Sequence, residues 1–366
     1  MRILAIDTGT GTQDILLLDT SERVENSVKM VVPSPTMRVA AAIRKATERR
    51  QGIVFSGVTM GGGPCTWALQ RHLQAGLPAF ATPDAARTFD DDLDVVAGWG
   101  VRIIGEDEAA GMDGVERIET RDLDLDGLRS AFASLGIDRR IDGFALACLD
   151  HGAAPPGYSD RLFRFEHLRR VVEKENDLLG FAYLPDDTPA YLTRARALLQ
   201  SVGDAPAVFL DTAPAAALGA LQEPLIAGAE RQVVLNLGNS HTLAFHLRGT
   251  YVYSLFEHHT GLLSRADVES LTERLIAGTL TQEEVFGGNG HGVCYVAPAP
   301  QDDDVFVAAT GPQRGKLAGS RLRPHFAAPH GDMMLTGCFG LLRAFAARRP
   351  SAREEIEAAL VGPAAS

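Results

Sequence analysis

A short apolar strand that runs into a Gly/Thr turn and out into a second apolar strand opens the chain. It constrains the fold more than any other stretch. Residues 2–6 (RILAI) are nearly continuous apolar, Asp7-Thr8-Gly9-Thr10-Gly11-Thr12 follow, and residues 15–18 resume the apolar run. Such a run marks a strand buried on both faces. Gly9 and Gly11 open backbone conformations that a Cβ would bar. Turn amides and threonine hydroxyls then form a concavity suited to anionic oxygens. Asp7, at the strand end, is placed to hold a cation or a cation-bound water. The same residues also suit an ordinary polar hairpin, and the turn alone does not choose between the two.

The pattern recurs. Residues 233–247 read as strand, Asn236-Leu237-Gly238-Asn239-Ser240-His241-Thr242, strand. A third strand is predicted after each hairpin, over 24–32 and over 251–255, with helices and further strands behind it. Two related lobes with a hairpin each would enclose a phosphate tail from both sides, a geometry that suits phosphoryl transfer. The 366 residues allow for two domains of ordinary size.

Composition narrows the partners. A net charge of −12 argues against nucleic acid as the main partner, since that binding leans on clustered Lys and Arg. No apolar stretch is long enough for a spanning helix, and the N-terminus lacks the basic flank of a signal peptide. Cys65, Cys148, Cys294 and Cys338 are far apart, so neither a zinc clip nor a disulfide framework is indicated. A cytoplasmic setting with no membrane partner is expected.

Four short motifs in order give the chain a resemblance. Asp7 to Thr12 resembles the first phosphate loop of the acetate and sugar kinase, heat-shock-protein and actin superfamily, and Leu237 to Thr242 resembles the second. Residues 210–219 (LDTAPAAALG) resemble its connecting helix. Residues 305–315 (VFVAATGPQRG) resemble its adenosine loop, and residues 331–342 the helix behind it. The chain is also similar to a family labelled pyruvate formate-lyase activating protein. That label implies a radical-SAM cluster held by C-x-x-x-C-x-x-C, which this sequence lacks.

The resemblance implies an α/β, two-lobed, duplicated ribonuclease H-like (actin-like ATPase) fold. Lobe I would span residues 1–205, with an inserted subdomain over about 34–125, and lobe II residues 206–366. It implies ATP and Mg2+ as cofactors. Thr8, Gly9, Thr10, Gly11 and Thr12 would line the phosphates from lobe I, with Gly238, Asn239, Ser240 and Thr242 facing them from lobe II. Thr310 and Gly311 would sit at the adenosine, and Asp7 would hold the metal. Asn236 departs from the superfamily, whose chaperone and actin members carry Asp there.

Asp211 ends a strand and starts a helix, where sugar kinases place the carboxylate that takes a substrate proton. It is equally suited to cap that helix. Asp150 and His151, after the strand predicted over 141–149, could face substrate or be an ordinary loop pair. Glu257 and His258 are candidate substrate contacts. Adjacent histidines on a strand point to opposite faces, so His258 and His259 would not readily share one ion. Gly287 to Gly292 reads as a flexible loop, a lid or a phosphate cradle. Cys65 stands at a helix start that could lower its pKa, or simply packs. The acidic run Asp90 to Asp94 reads as a solvated face.

The expected activity is ATP-dependent phosphoryl transfer to a small hydroxylated molecule. The alternative is an ATPase or nucleotide-binding switch acting on a protein partner. A homo-oligomer is also open.

Overall fold

The computed structural model describes residues 1–137, 140–298 and 305–361. Three antiparallel strands open it: β1 (Arg2–Thr8), β2 (Thr12–Asp19) and β3 (Val28–Pro33). Four strands follow, β4 (Gly52–Gly57), β5 (Ala79–Ala81), β6 (Val101–Ile103) and β7 (Val115–Thr120). They form a separate parallel sheet in the order β6-β5-β4-β7. The chain then returns to the first sheet with β8 (Gly143–Cys148), β9 (Ala182–Tyr183) and β10 (Ala207–Asp211), giving the order β3-β2-β1-β8-β10-β9. The second half supplies β11 (Gln232–Leu237), β12 (His241–Arg248), β13 (Tyr251–His259), β14 (Gly292–Tyr295), β15 (Phe306–Thr310) and β16 (His325–Phe326). Their order is β14-β13-β12-β11-β15-β16.

Set aside β9 and β14, and the two large sheets have the same plan. Each has three antiparallel strands, and the first pairs in parallel with a fourth, which pairs in parallel with a fifth. This is the ribonuclease H-like order, present twice. The fold is the expected two-lobed, duplicated α/β architecture, and the β4–β7 sheet is inserted after the third strand of lobe I.

The apolar run of β1 is explained by its neighbours. Ile3 and Ala5 face a core shared with the helices Thr212–Ala220 and Thr336–Arg348. Leu4 and Ile6 face the opposite core, which includes Phe132, Leu198 and Phe209. The inserted sheet has its own core around Ile43, Phe55 and Leu69. No helix among the described residues is long and apolar enough to cross a membrane.

Helix Thr336–Arg348 comes late in the chain yet packs on β1, β8 and β10 of the first sheet. It crosses helix Thr212–Ala220 at small residues. A Cβ on Gly340 would collide with the Ala215 carbonyl oxygen, and one on Gly219 with that of Thr336. Glycine is required there by backbone approach, not by φ.

Several boundaries differ from expectation. The strand predicted over 24–32 starts later, because Val24–Asn26 is a turn of 3-10 helix. Strand β13 runs four residues beyond 255, which carries Glu257, His258 and His259 into the sheet. The stretch Gly287 to Gly292 is a short connection between helix Gln282–Gly287 and β14.

Candidate active site in the interlobe cleft

The two Gly/Thr hairpins meet at the mouth of a cleft of about 740 Å³. Its walls come from both large sheets and from the inserted subdomain. Asp7, Thr8, Gly9, Thr10 and Thr12 line it from lobe I. Gly238, Asn239, Ser240, Thr310 and Gly311 line it from lobe II, as do Asp150 and His151 from lobe I. The hairpin tips touch: Ser240 Oγ donates to Thr10 Oγ1 at 3.0 Å. A Cβ on Gly11 would meet the Asn239 side chain, so the two hairpin tips pack closely there. Gly311, at φ +94°, lies against the Leu237 carbonyl and the Asn236 amide with no room for a Cβ. Ser34 caps helix Pro35–Glu48 and donates to Thr10 O at 2.6 Å, so the inserted subdomain braces the first hairpin.

Asp7 is buried, and Thr212 Oγ1 donates to its Oδ1 at 2.8 Å. Burial pushes its carboxyl up to about 7 against that hydrogen bond, with repulsion from Asp211 adding to the rise. Opposite it across the strand pair stands Asp14, a residue the sequence reading did not single out. Burial, then repulsion from Asp7, pushes Asp14 up to about 8. Its Oδ1 is buried without a hydrogen-bond partner. Like charges set directly across a strand pair destabilise it unless something compensates. Two hard oxygen donors with one lone acceptor fit a Mg2+ ion by donor chemistry.

Asp211 is placed differently from a free base. Arg164 Nη1 donates to its Oδ2 at 2.7 Å and Nη2 to its Oδ1 at 3.1 Å. Oδ1 also accepts the Ala213 amide at the helix start. Both oxygens are thus occupied and Asp211 does not line the cleft. The same fully buried Arg164 donates through Nε to Glu257 at 3.0 Å and through Nη1 to the Asp150 carbonyl at 2.9 Å. Glu257 is therefore the other arm of a buried Glu–Arg–Asp triad, away from the cleft. Burial raises its carboxyl to about 7. Nothing in the local sequence marks Arg164, which sits in an arginine-rich helix, Asp160–Glu175.

Other expected contacts are also used inside the fold. His258 points its Nδ1 at the His259 carbonyl and lies against Gly290, outside the cleft. Thr242 is buried and shares a hydrogen bond with Thr260 Oγ1 at 2.9 Å. Gly11 contributes to the hairpin and not to the cleft wall. The Asp150 carboxylate accepts the Gly152 amide at 2.8 Å and the Ala195 amide at 2.9 Å, which pins the loop that carries His151. Burial nevertheless raises Asp150 to about 6.

His151 stands among rings from lobe II, 5.2 Å from His241 and 5.7 Å from His291 between centroids. Neither His241 nor His291 was expected in a site.

The inserted subdomain corrects one further reading and decides another. Asp90, Asp91 and Asp92 line the cleft, so the acidic run is not simply a solvated face. Cys65 is fully buried and its thiol is pushed up to about 11 by burial, the opposite of an activated thiolate. Beside it, the Gly61 amide is donated to Asp122 at 3.3 Å, and Asp122 is held by Arg194 at 2.6 Å.

A family model described as "Putative pyruvate format-lyase activating enzyme (DUF1786)" matches residues 60–316. The chain belongs to this family. The match covers Arg164, Asp211, the second hairpin and the three histidines His151, His241 and His291. No curated protein matches the sequence. Among solved structures, a ROK hexokinase from Thermus thermophilus is 14% identical at a TM-score of 0.24, covering 69% of this chain and 47% of its own. The chain thus spans about half the length of that hexokinase. A "putative N-acetylmannosamine kinase" from Listeria monocytogenes is 8% identical at a TM-score of 0.36, covering 95% and 99%. An ethanolamine utilization protein from Carboxydothermus hydrogenoformans is 13% identical at 0.30, covering 94% and 89%.

An iron–sulfur cluster of the kind the family description implies needs three neighbouring thiolates. Here the four cysteines are buried in four separate elements, and no group of three or more among the described residues contains a cysteine. The residues do not fit that cluster.

Proposed function

We propose that the protein binds a Mg2+-nucleoside triphosphate, ATP, between its two hairpins and catalyses transfer or hydrolysis of the terminal phosphate. The observation that carries the reading is the Asp7–Asp14 pair at the cleft wall, with its unpartnered Asp14 oxygen. Bound there, the ion would neutralise both carboxylates and offer charge to the phosphate oxygens. The chain's own residues position and enclose. Thr8, Thr10 and Thr12 present one wall, and Gly238, Asn239 and Ser240 the other. The Ser240–Thr10 contact must part for a phosphate chain to enter, so binding couples to the angle between lobes. Thr212 holds Asp7 in place through its hydroxyl.

Within this reading Asp211 is a positioning residue. It holds Arg164, and through Arg164 the lobe II strand that carries Glu257. An occupied Asp211 favours the second reading, in which hydrolysis drives lobe closure on a partner and no small hydroxylated acceptor is phosphorylated. ATP consumption that needs no acceptor supports it. Consumption that appears only with an acceptor supports the kinase.

The test is calorimetric binding of a non-hydrolysable ATP analogue with and without Mg2+. Wild type is expected to bind more tightly with Mg2+. Asp14→Asn and Asp7→Asn are expected to lose roughly tenfold or more of that Mg2+-dependent gain, the scale of about one charge-assisted contact. No binding of the analogue at millimolar concentration overturns the reading.

A further inference from the structure

Four histidine rings meet where the lobes touch, and the phosphate chemistry does not use them. His241 begins β12 and pairs with His259 at the end of β13. Their ring centroids are 5.0 Å apart, and His291 lies 5.0 Å from His241 and 4.8 Å from His259. His151 comes from the other lobe and stacks on His291. One ligating nitrogen each from His151, His241 and His291 lie within 4.8 Å of one another.

The backbone holds these rings firmly. The His291 amide donates to the Glu257 carbonyl at 2.9 Å, and Gln282 donates to the His291 carbonyl at 3.2 Å. Arg161 fixes the preceding Gly290 carbonyl at 2.7 Å. The ring nitrogens, in contrast, are left open. Both nitrogens of the fully buried His291 and the Nε2 of His241 have no hydrogen-bond partner. Burial keeps these imidazoles in the neutral form, which is the metal-binding one. A neutral imidazole carries one lone pair, and buried polar atoms without partners are costly and rare.

We propose that His151, His241 and His291 form a binding site for a late first-row divalent metal ion of the Zn2+ class, with the His259 ring packed against two of them. Imidazole nitrogens suit Zn2+, Fe2+, Ni2+ and Cu2+ and are poor partners for Mg2+. This site is therefore chemically distinct from the Asp7–Asp14 pair. Zinc–nitrogen bonds of about 2.0–2.1 Å in a tetrahedron set nitrogens ~3.3 Å apart. The rings reach that spacing by closing in by up to about 1.5 Å between nitrogens, shared between two side chains. The nearby Arg164 cation is offset by the Asp211 and Glu257 carboxylates bound to it. Because one ligand comes from lobe I and the others from lobe II, a bound ion ties the lobes together at the cleft wall, which His151 and His241 line.

Unpartnered nitrogens alone do not make the site. His246, on the same strand β12, is also buried with both ring nitrogens unpaired, but no other histidine joins it. It is the control.

The test uses the full chain, stripped with chelator and without nucleotide, titrated with Co2+ and followed by visible absorption. One Co2+ per chain with tetrahedral d–d bands is expected, displaced by Zn2+. His241→Gln and His291→Gln are expected to weaken Co2+ binding roughly 100-fold, the loss of one of few protein ligands. His246→Gln should leave it unchanged. His291→Cys should bind Co2+ with a new thiolate-to-cobalt charge-transfer band, a gained signal that misfolding cannot imitate. Absence of saturable Co2+ binding in the wild type overturns the proposal, as does binding that both glutamine variants leave intact. Neither outcome bears on Mg-ATP.

Discussion

Arg164 shows how much one side chain can hold. It is fully buried, and it donates to Asp211, Glu257 and the Asp150 carbonyl at once, joining β10 of lobe I to β13 of lobe II. Removing one partner of a buried ionic cluster leaves the rest uncompensated. Arg164→Met is expected to cost about 3–5 kcal/mol, read as a lower urea midpoint. A shift within error would mean the triad is hydrated and weak. Asp14 is the opposite case, a carboxylate with an oxygen left over. Its place at the cleft was hidden in the sequence because it lies two residues beyond the turn, at the head of a continuous apolar run. Only the pairing register sets it across from Asp7.

At the scale of elements, the decisive contact is the crossing of helices Thr212–Ala220 and Thr336–Arg348. The first begins at Asp211 and supplies Thr212 to Asp7, while the second brings Gly337 against the Asp7 carboxylate. The helices therefore set the position of Asp7, the proposed metal residue, from behind. Gly340→Ala would force them apart. We expect a loss of about 1–3 kcal/mol from overpacking, together with weaker Mg2+-dependent nucleotide binding. Stability lost with binding unchanged would show that the crossing does not govern Asp7. The small-residue pattern of LDTAPAAALG was legible as a helix and as part of a resemblance. That its partner would be the chain's late helix was not, since no local periodicity encodes which helix a glycine faces.

For the whole molecule, buried titrating groups of opposite kind set a stability optimum. The raised carboxyls of Asp7 and Asp14 bind protons more tightly in the folded state than in the unfolded. Their contribution is full below about pH 4 and is lost as pH rises through about 7 and 8. The buried histidines act in reverse. His151 is lowered to about 3, and His167 and His246 to about 4, so their neutral folded forms cost stability as pH falls below about 6.5. The melting temperature of the chelator-treated protein should therefore peak between about pH 6 and 7 and fall on both sides. Asp14→Asn should flatten the alkaline limb. An alkaline limb identical in wild type and Asp14→Asn would refute the buried, proton-holding assignment of Asp14.

The sequence by itself determined most of the longer strands, the two Gly/Thr hairpins and the duplication, because strand burial and tight turns are written in runs of a few residues. It also placed Asp7, Thr10, Gly238 and Ser240 at the hairpins that meet over the cleft. Tertiary structure alone decided what the other polar residues do. Asp211 and Glu257 are drawn onto Arg164, which is 47 residues from one and 93 from the other. His151, His241 and His291 converge from three separate strand ends. The reason is physical. A side chain's conformation follows from its neighbours in sequence, but its charge and its open lone pairs are satisfied by neighbours in space, and the closing of two sheets face to face chooses those.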